Sequence, residues 1–168
     1  MPFAADFETY AGTRLFAKLG LPTDDTEAAF ETFFAAVGAA EATVIQVGSI
    51  KGRESNITEL DVVSQGLVRQ GVGNYKLPTS EWMILEEGPD GGTEFFDIVD
   101  GALTATNKPR VSFAAVRQSG EVLYWTAKVS NLTEPGGGSN DNLTYALTLL
   151  FQSEAISAVT PVIPDTTP

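Results

Sequence analysis

Residues Arg110–Leu132 read RVSFAAVRQSGEVLYWTAKVSNL, and their pattern decides the fold class. Two runs rich in β-branched and aromatic residues, Arg110–Arg117 and Glu121–Leu132, flank the short polar turn Gln118-Ser119-Gly120. Such runs around a glycine-containing turn form a β-hairpin. Downstream, Leu143–Ile156 (LTYALTLLFQSEAI) reads as a further strand, reached through the glycine-rich, polar connector Thr133–Asn142. Val159–Pro168 holds three prolines and cannot continue a sheet interior, so a flexible C-terminal tail over 159–168 is expected.

Upstream, Thr93–Ala105 (TEFFDIVDGALTA) places Phe95, Phe96, Val99 and Leu103 on one helical face behind a Thr93 cap, with Gly101 weakening the helix. Before it, Leu77–Glu87 is a strand centred on Trp82–Leu85, stopped by Gly88-Pro89-Asp90-Gly91-Gly92. Ala42–Ile50 and Asn56–Val63 read as two more strands, joined by the charged turn Lys51–Ser55. Ser64–Lys76 (SQGLVRQGVGNYK) mixes three glycines and two cations with few apolar residues, the composition of a long loop or a loosely held hairpin.

Towards the N-terminus, Phe30, Phe33, Phe34 and Val37 fall at i, i+3, i+4 and i+7, which predicts a short amphipathic helix over Thr23–Val37. Thr23 or Asp24 can cap it, Asp24, Asp25 and Glu27 suit its first turn, and Gly38 follows its end. Thr13–Leu19 is a short strand, and Met1–Gly12 an arm that needs a partner surface to become ordered. The order implies a mainly β fold: a β-sandwich or barrel-like sheet with one flanking α-helix, plus a short N-terminal helix and extended arms. At 168 residues the expectation is a single domain over 1–158 followed by the tail.

Composition removes most catalytic chemistry. Cysteine and histidine are both absent, which excludes disulfides, thiolate nucleophiles, the usual zinc ligands and histidine-based triads. No metal and no cofactor is expected. Gly136-Gly137-Gly138 lacks the following Lys-Ser/Thr of a phosphate loop and reads as linker. Glu86-Glu87 would point to opposite faces of a strand, while Asp97 and Asp100 read as a solvated helix face; neither pair predicts an acid–base site. The sequon-like triplets at Asn56, Asn131 and Asn142 carry no weight without a secretion signal.

Twenty-two acidic residues against 10 basic ones give a formal net charge of -12, the wrong sign for gripping phosphates. Such acidity serves solubility, or a surface past which a polyanion must slide without sticking. No run of about 18 apolar residues and no signal-peptide pattern is present, so a soluble cytoplasmic product without membrane insertion is expected.

The segment Glu81–Ser157, through GPDGGTEFFDIVDGALTA, RVSFAAVRQSGEVLYWTAKVSN and NLTYALTLLFQSEAIS, resembles the C-terminal half of long-tailed phage tail tube proteins. VGSIKGRESNITELDVVSQ, with the glycine-rich stretch after it, is similar to that family's first inner strands and long loop. The helix near 23–37 has no counterpart in the pattern. The family's architecture is shared by type VI secretion tube proteins. The resemblance implies a non-enzymatic virion protein, made in the host cytoplasm, whose rings, usually hexameric, stack into a hollow tube. It also implies that sheets of neighbouring subunits join around a lumen through which DNA passes, and that tape-measure, tail terminator and baseplate or distal tail proteins are partners. Within that frame Glu59 and Asp61, on one face of an acidic strand, are candidate lumen charges; a solvated outer face explains them equally well. Gly66, Leu67, Val68, Arg69, Gln70, Gly71 and Tyr75 are candidates for an inter-ring contact loop. Tyr124 and Trp125 point to opposite faces, so one can fill the core and the other meet a neighbour. The competing readings are a β-sandwich binding or decoration module and a carboxylate enzyme on a β scaffold.

Overall fold

A computed structural model describes residues 10–62, 67–141, 143–158 and 162–167, with backbone alone over 54–62 and 67–75. Ten strands and two helices follow one another as β1 (Arg14–Leu19), α1 (Glu27–Ala35), β2 (Ala40–Ala42), β3 (Val44–Gln46), β4 (Glu54–Val62), β5 (Leu67–Lys76), β6 (Thr79–Ile84), α2 (Glu94–Thr104), β7 (Val111–Val116), β8 (Val122–Thr133), β9 (Tyr145–Phe151) and β10 (Ile156–Ser157). The β7–β8 hairpin forms as the opening stretch predicts, with Phe113 opposite Trp125 and Gly120 at φ 92 in the turn.

Eight strands make one curled antiparallel sheet in the order β2-β1-β7-β8-β9-β6-β3, with β10 added beside β8. Its two ends are covalent neighbours. Ala42 pairs with Leu15 of β1 at one end of the order, and Val44 pairs with Ile84 of β6 at the other. Thr43 joins them, and its carbonyl accepts the Leu85 N–H at 3.0 Å. The run read as one strand, Ala42–Ile50, is therefore two short strands that start earlier and change partner at a single residue, which draws the sheet into a half-barrel. Leu143–Ile156 is likewise divided. Gln152 and Ser153 both donate their N–H groups to Thr126 O, while the Thr126 N–H donates to Ser153 Oγ at 2.9 Å, a bulge that separates β9 from β10.

Each helix covers one face. Phe95, Val99 and Ala102 of α2 pack on Leu15, Phe113, Leu123, Trp125, Leu147 and Leu149, the larger of the two cores. Phe30 and Phe34 of α1 pack on Phe16, Ala114, Val122 and Tyr124 across the sheet. Alternation along β7 and β8 thus buries both sets of side chains, and every residue of β7 is buried.

The helix boundaries correct the caps. Thr26, not Thr23 or Asp24, caps α1 by accepting the Ala29 N–H, and Asp24 in turn accepts the Thr26 N–H and hydroxyl. Val37 lies past the end of α1 and is exposed. Thr93 precedes α2 without a side-chain cap; its hydroxyl donates to Asp97 Oδ2 at 3.1 Å. Phe96 leaves the buried face and meets the Tyr145 ring at 4.8 Å.

The proline-rich tail, expected to be flexible, is held over 162–167. Asp165 donates its N–H to Phe34 O, the Ala39 and Gly38 N–H groups donate to Asp165 O and Thr167 O, and the Tyr124 hydroxyl donates to Val162 O at 3.0 Å. The Asp165 N–H on Phe34 O, with the Lys18 ammonium on Phe33 O and Ala36 O, gives three carbonyls at the end of α1 a donor.

Candidate assembly surface

Ser64–Lys76, read as a loop or loose hairpin, contributes a ten-residue strand, β5, antiparallel to β4. The two strands form a separate sheet and, among the described residues, share no ladder with the large one. Ten residues span about 33 Å, and a two-stranded ribbon alone in water is marginal, since edge strands present rows of N–H and C=O groups for pairing.

The candidate residues converge on this hairpin. Glu59 lies opposite Gln70 and Asp61 opposite Val68; Leu67, Arg69, Gly71 and Tyr75 face Val62, Leu60, Thr58 and Ser55. Gly66 lies outside the described residues. The expected lumen charges and the expected inter-ring residues therefore share one ribbon instead of occupying separate elements.

Charge fixes the hairpin's root. Lys51 Nζ contacts Glu121 Oε1 at 2.6 Å, and Arg53 contacts Glu154 at 2.8 Å, so the segment entering β4 is tied to the β7–β8 turn and to the β9–β10 bulge. Arg117 and the Ser157 hydroxyl also reach Glu121. The hydrogen bond from Lys51 leads these partners in holding the Glu121 carboxyl below its ordinary range, against the opposing effect of burial. A cleft of about 390 Å³ lies at this root, between Lys51–Arg53, Leu77-Pro78 and Phe151.

The outer face of the sheet is only half covered. Where α1 ends, Thr79, Glu81 and Leu150 are exposed and Met83, Ala146 and Thr148 half-buried, paired as Thr79 with Leu150, Glu81 with Thr148 and Met83 with Ala146. Their chain neighbours Ser80, Trp82, Leu147 and Leu149 are buried on the other side. The strict alternation of TSEWMI carries this face in the sequence, and Glu81 on it was not singled out as a site residue. One of Tyr124 and Trp125 was expected to be free to meet a neighbour; both are buried within the chain, Tyr124 beneath α1 and Trp125 against Phe113 and Phe151.

Among the described residues no group of three or more Asp or Glu side chains is placed to hold a metal ion. Glu86 and Glu87 stand exposed beyond the end of β6 rather than on a strand, and Asp97 and Asp100 are exposed on α2. Asp141 closes the glycine run by accepting the Gly138 N–H at 2.6 Å, as a loop brace. No helix among the described residues is long and apolar enough to cross a membrane.

No family model matches the chain, and no curated protein matches it. Among solved structures, it aligns with chains of the phage p2 baseplate in its activated conformation, with Sr at TM-score 0.46 and with Ca at 0.47. Both are 16% identical to it. Each alignment covers 85% of this chain and 45% of the other, so the match spans less than half their length. That likeness assigns no family.

Proposed function

We propose that the chain is a structural subunit of a phage tail tube, assembling with copies of itself into stacked rings around an acidic-lined channel for DNA. The β4–β5 hairpin carries the reading: it is tied at its root by ion pairs and, among the described residues, laddered to no strand of the large sheet. An arm of that kind gains stability when a strand of a second copy pairs with its edges, and the open β6–β9 face offers a shorter sheet surface, six and seven residues long, for it to pack against. Coupled ordering and assembly of this sort suits a subunit that is stored as a monomer. The net charge of -12 suits a channel wall that DNA must not grip. Catalysis has no part in this reading.

The test is to replace residues 54–76 by a short Gly/Ser turn and compare sedimentation with the parent chain. The expected result is a variant that melts cooperatively but stays monomeric where the parent forms large species. A variant that assembles like the parent contradicts the reading. A parent that stays monomeric at every concentration favours a binding or decoration module.

A further inference from the structure

A groove of about 510 Å³ lies between Gly38–Glu41 and the first turns of α2. Ala39, Ala40 and Ile98 give it an apolar floor, the turn at Pro89 and the strap residue Thr166 border it, and Asp90, Glu94 and Asp97 form an exposed acidic rim. No Lys or Arg lines it. Glu41 is engaged by Arg14 in a two-pronged pair at 2.6 and 2.9 Å, but the three rim carboxylates have no cationic partner among the described residues.

The other end of α2 carries the opposite charge. Lys108 and Arg110, on either side of Pro109, are exposed and make no ion pair among the described residues, whereas Arg14, Lys51, Arg53 and Arg117 are all paired within the chain. The turn is firmly shaped. Lys108 adopts φ 44, a left-handed conformation costly for a residue with a side chain, and its ammonium closes the helix end on Leu103 O. Pro109 removes further freedom.

Eleven residues of helix hold the groove and this turn about 16 Å apart, so one copy cannot fill its own groove with its own turn. We infer that the groove's occupant is the Lys108–Arg110 turn of a second copy, its cations on Asp90, Glu94 and Asp97 and Pro109 against the apolar floor. Such a contact is head-to-tail, joining two different patches, and repeats into closed rings or filaments. It rests on the self-assembly reading and names one of its interfaces.

Two double charge reversals test it: E94K/D97K in the groove and K108E/R110E in the turn, all at exposed positions. Sedimentation and melting are followed for each variant alone and for their equimolar mixture. Each alone should still melt cooperatively, somewhat below the parent because the reversed charges oppose the α2 dipole and K108E releases Leu103 O, but should associate more than about tenfold more weakly. The mixture should recover association, because a reversed groove then meets a reversed turn. Parent-like association of either variant alone, or a mixture no better than its components, overturns this contact while leaving the tube reading standing. A parent chain that never associates overturns both.

Discussion

Tyr124 and Trp125 are adjacent on β8, yet their rings lie in two separate cores on opposite faces of one sheet. Tyr124 stacks on Phe30 and Phe34, each at 5.6 Å, beneath α1. Trp125 stacks on Phe113 at 5.9 Å and on Phe151 at 5.1 Å, on the face that α2 covers. Helices thus seal both sides of this half of the sheet, while the outer face of the β6–β9 half carries exposed Thr79, Glu81 and Leu150.

Tyr124 also anchors the C-terminal strap. Burial raises its hydroxyl to about 12, so it remains a donor to Val162 O at any ordinary pH. Tyr124→Phe should cost about 1 kcal/mol and speed hydrogen exchange at the Gly38 and Ala39 amides, which the strap protects. Tyr124→Ala, which also empties the stack, should cost about 3–5 kcal/mol by urea denaturation. Unchanged exchange in the phenylalanine variant would show that the strap holds without this bond.

Two glycines should respond oppositely to alanine. A Cβ on Gly48 would meet Ser80 Oγ at 2.4 Å, Glu81 O at 2.6 Å and Trp82 Nε1 at 2.7 Å, so Gly48→Ala should destabilise by about 1–3 kcal/mol. A Cβ on Gly101 meets nothing within 4 Å and sits inside α2, so Gly101→Ala should stabilise by about 0.5–1 kcal/mol. Thermal melts of the two variants moving in the same direction would contradict the packing described.

Glu121 gives a pH signature. Its folded carboxyl titrates below the ordinary 4.5, so its contribution is fully present above that value and lost as pH falls through the lower folded one. Glu121→Gln should therefore cost roughly 1 kcal/mol near neutral pH, and the gap from the parent should close as urea titrations move from pH 5 to pH 3. A gap that stays constant over that range would remove the ion cluster from the account.

Glu59→Lys together with Asp61→Lys tests the channel charge. If these strand positions line the lumen, tails built from the variant should assemble but deliver DNA slowly or not at all, because the wall would then attract phosphates. Normal delivery by intact tails would place both residues on a solvated outer face.

The β7–β8 hairpin and α2 were legible because their signals are local: β-branched and aromatic runs on either side of Gly120, and Phe95 with Val99 one helical turn apart. The division at Thr43 was not, because both halves are β-forming and only tertiary pairing tells which edge each joins. β5 was obscured by Gly71 and Gly73, whose low strand propensity is overridden by the ladder with β4. Three prolines made the tail read as free, although a few hydrogen bonds to Phe34, Gly38 and Ala39 suffice to hold it. Of the candidate surface, Glu59, Asp61 and the β5 residues were named from sequence. The groove was hidden because it gathers Ala39, Asp90, Ile98 and Thr166 from distant parts of the chain.

Negative-stain electron microscopy of the purified chain across a concentration series, with salt added to screen its acidic repulsion, tests the central claim most directly. Rings or hollow tubes of uniform width are the predicted result. Featureless monomers at every concentration and salt would contradict a self-assembling tube subunit.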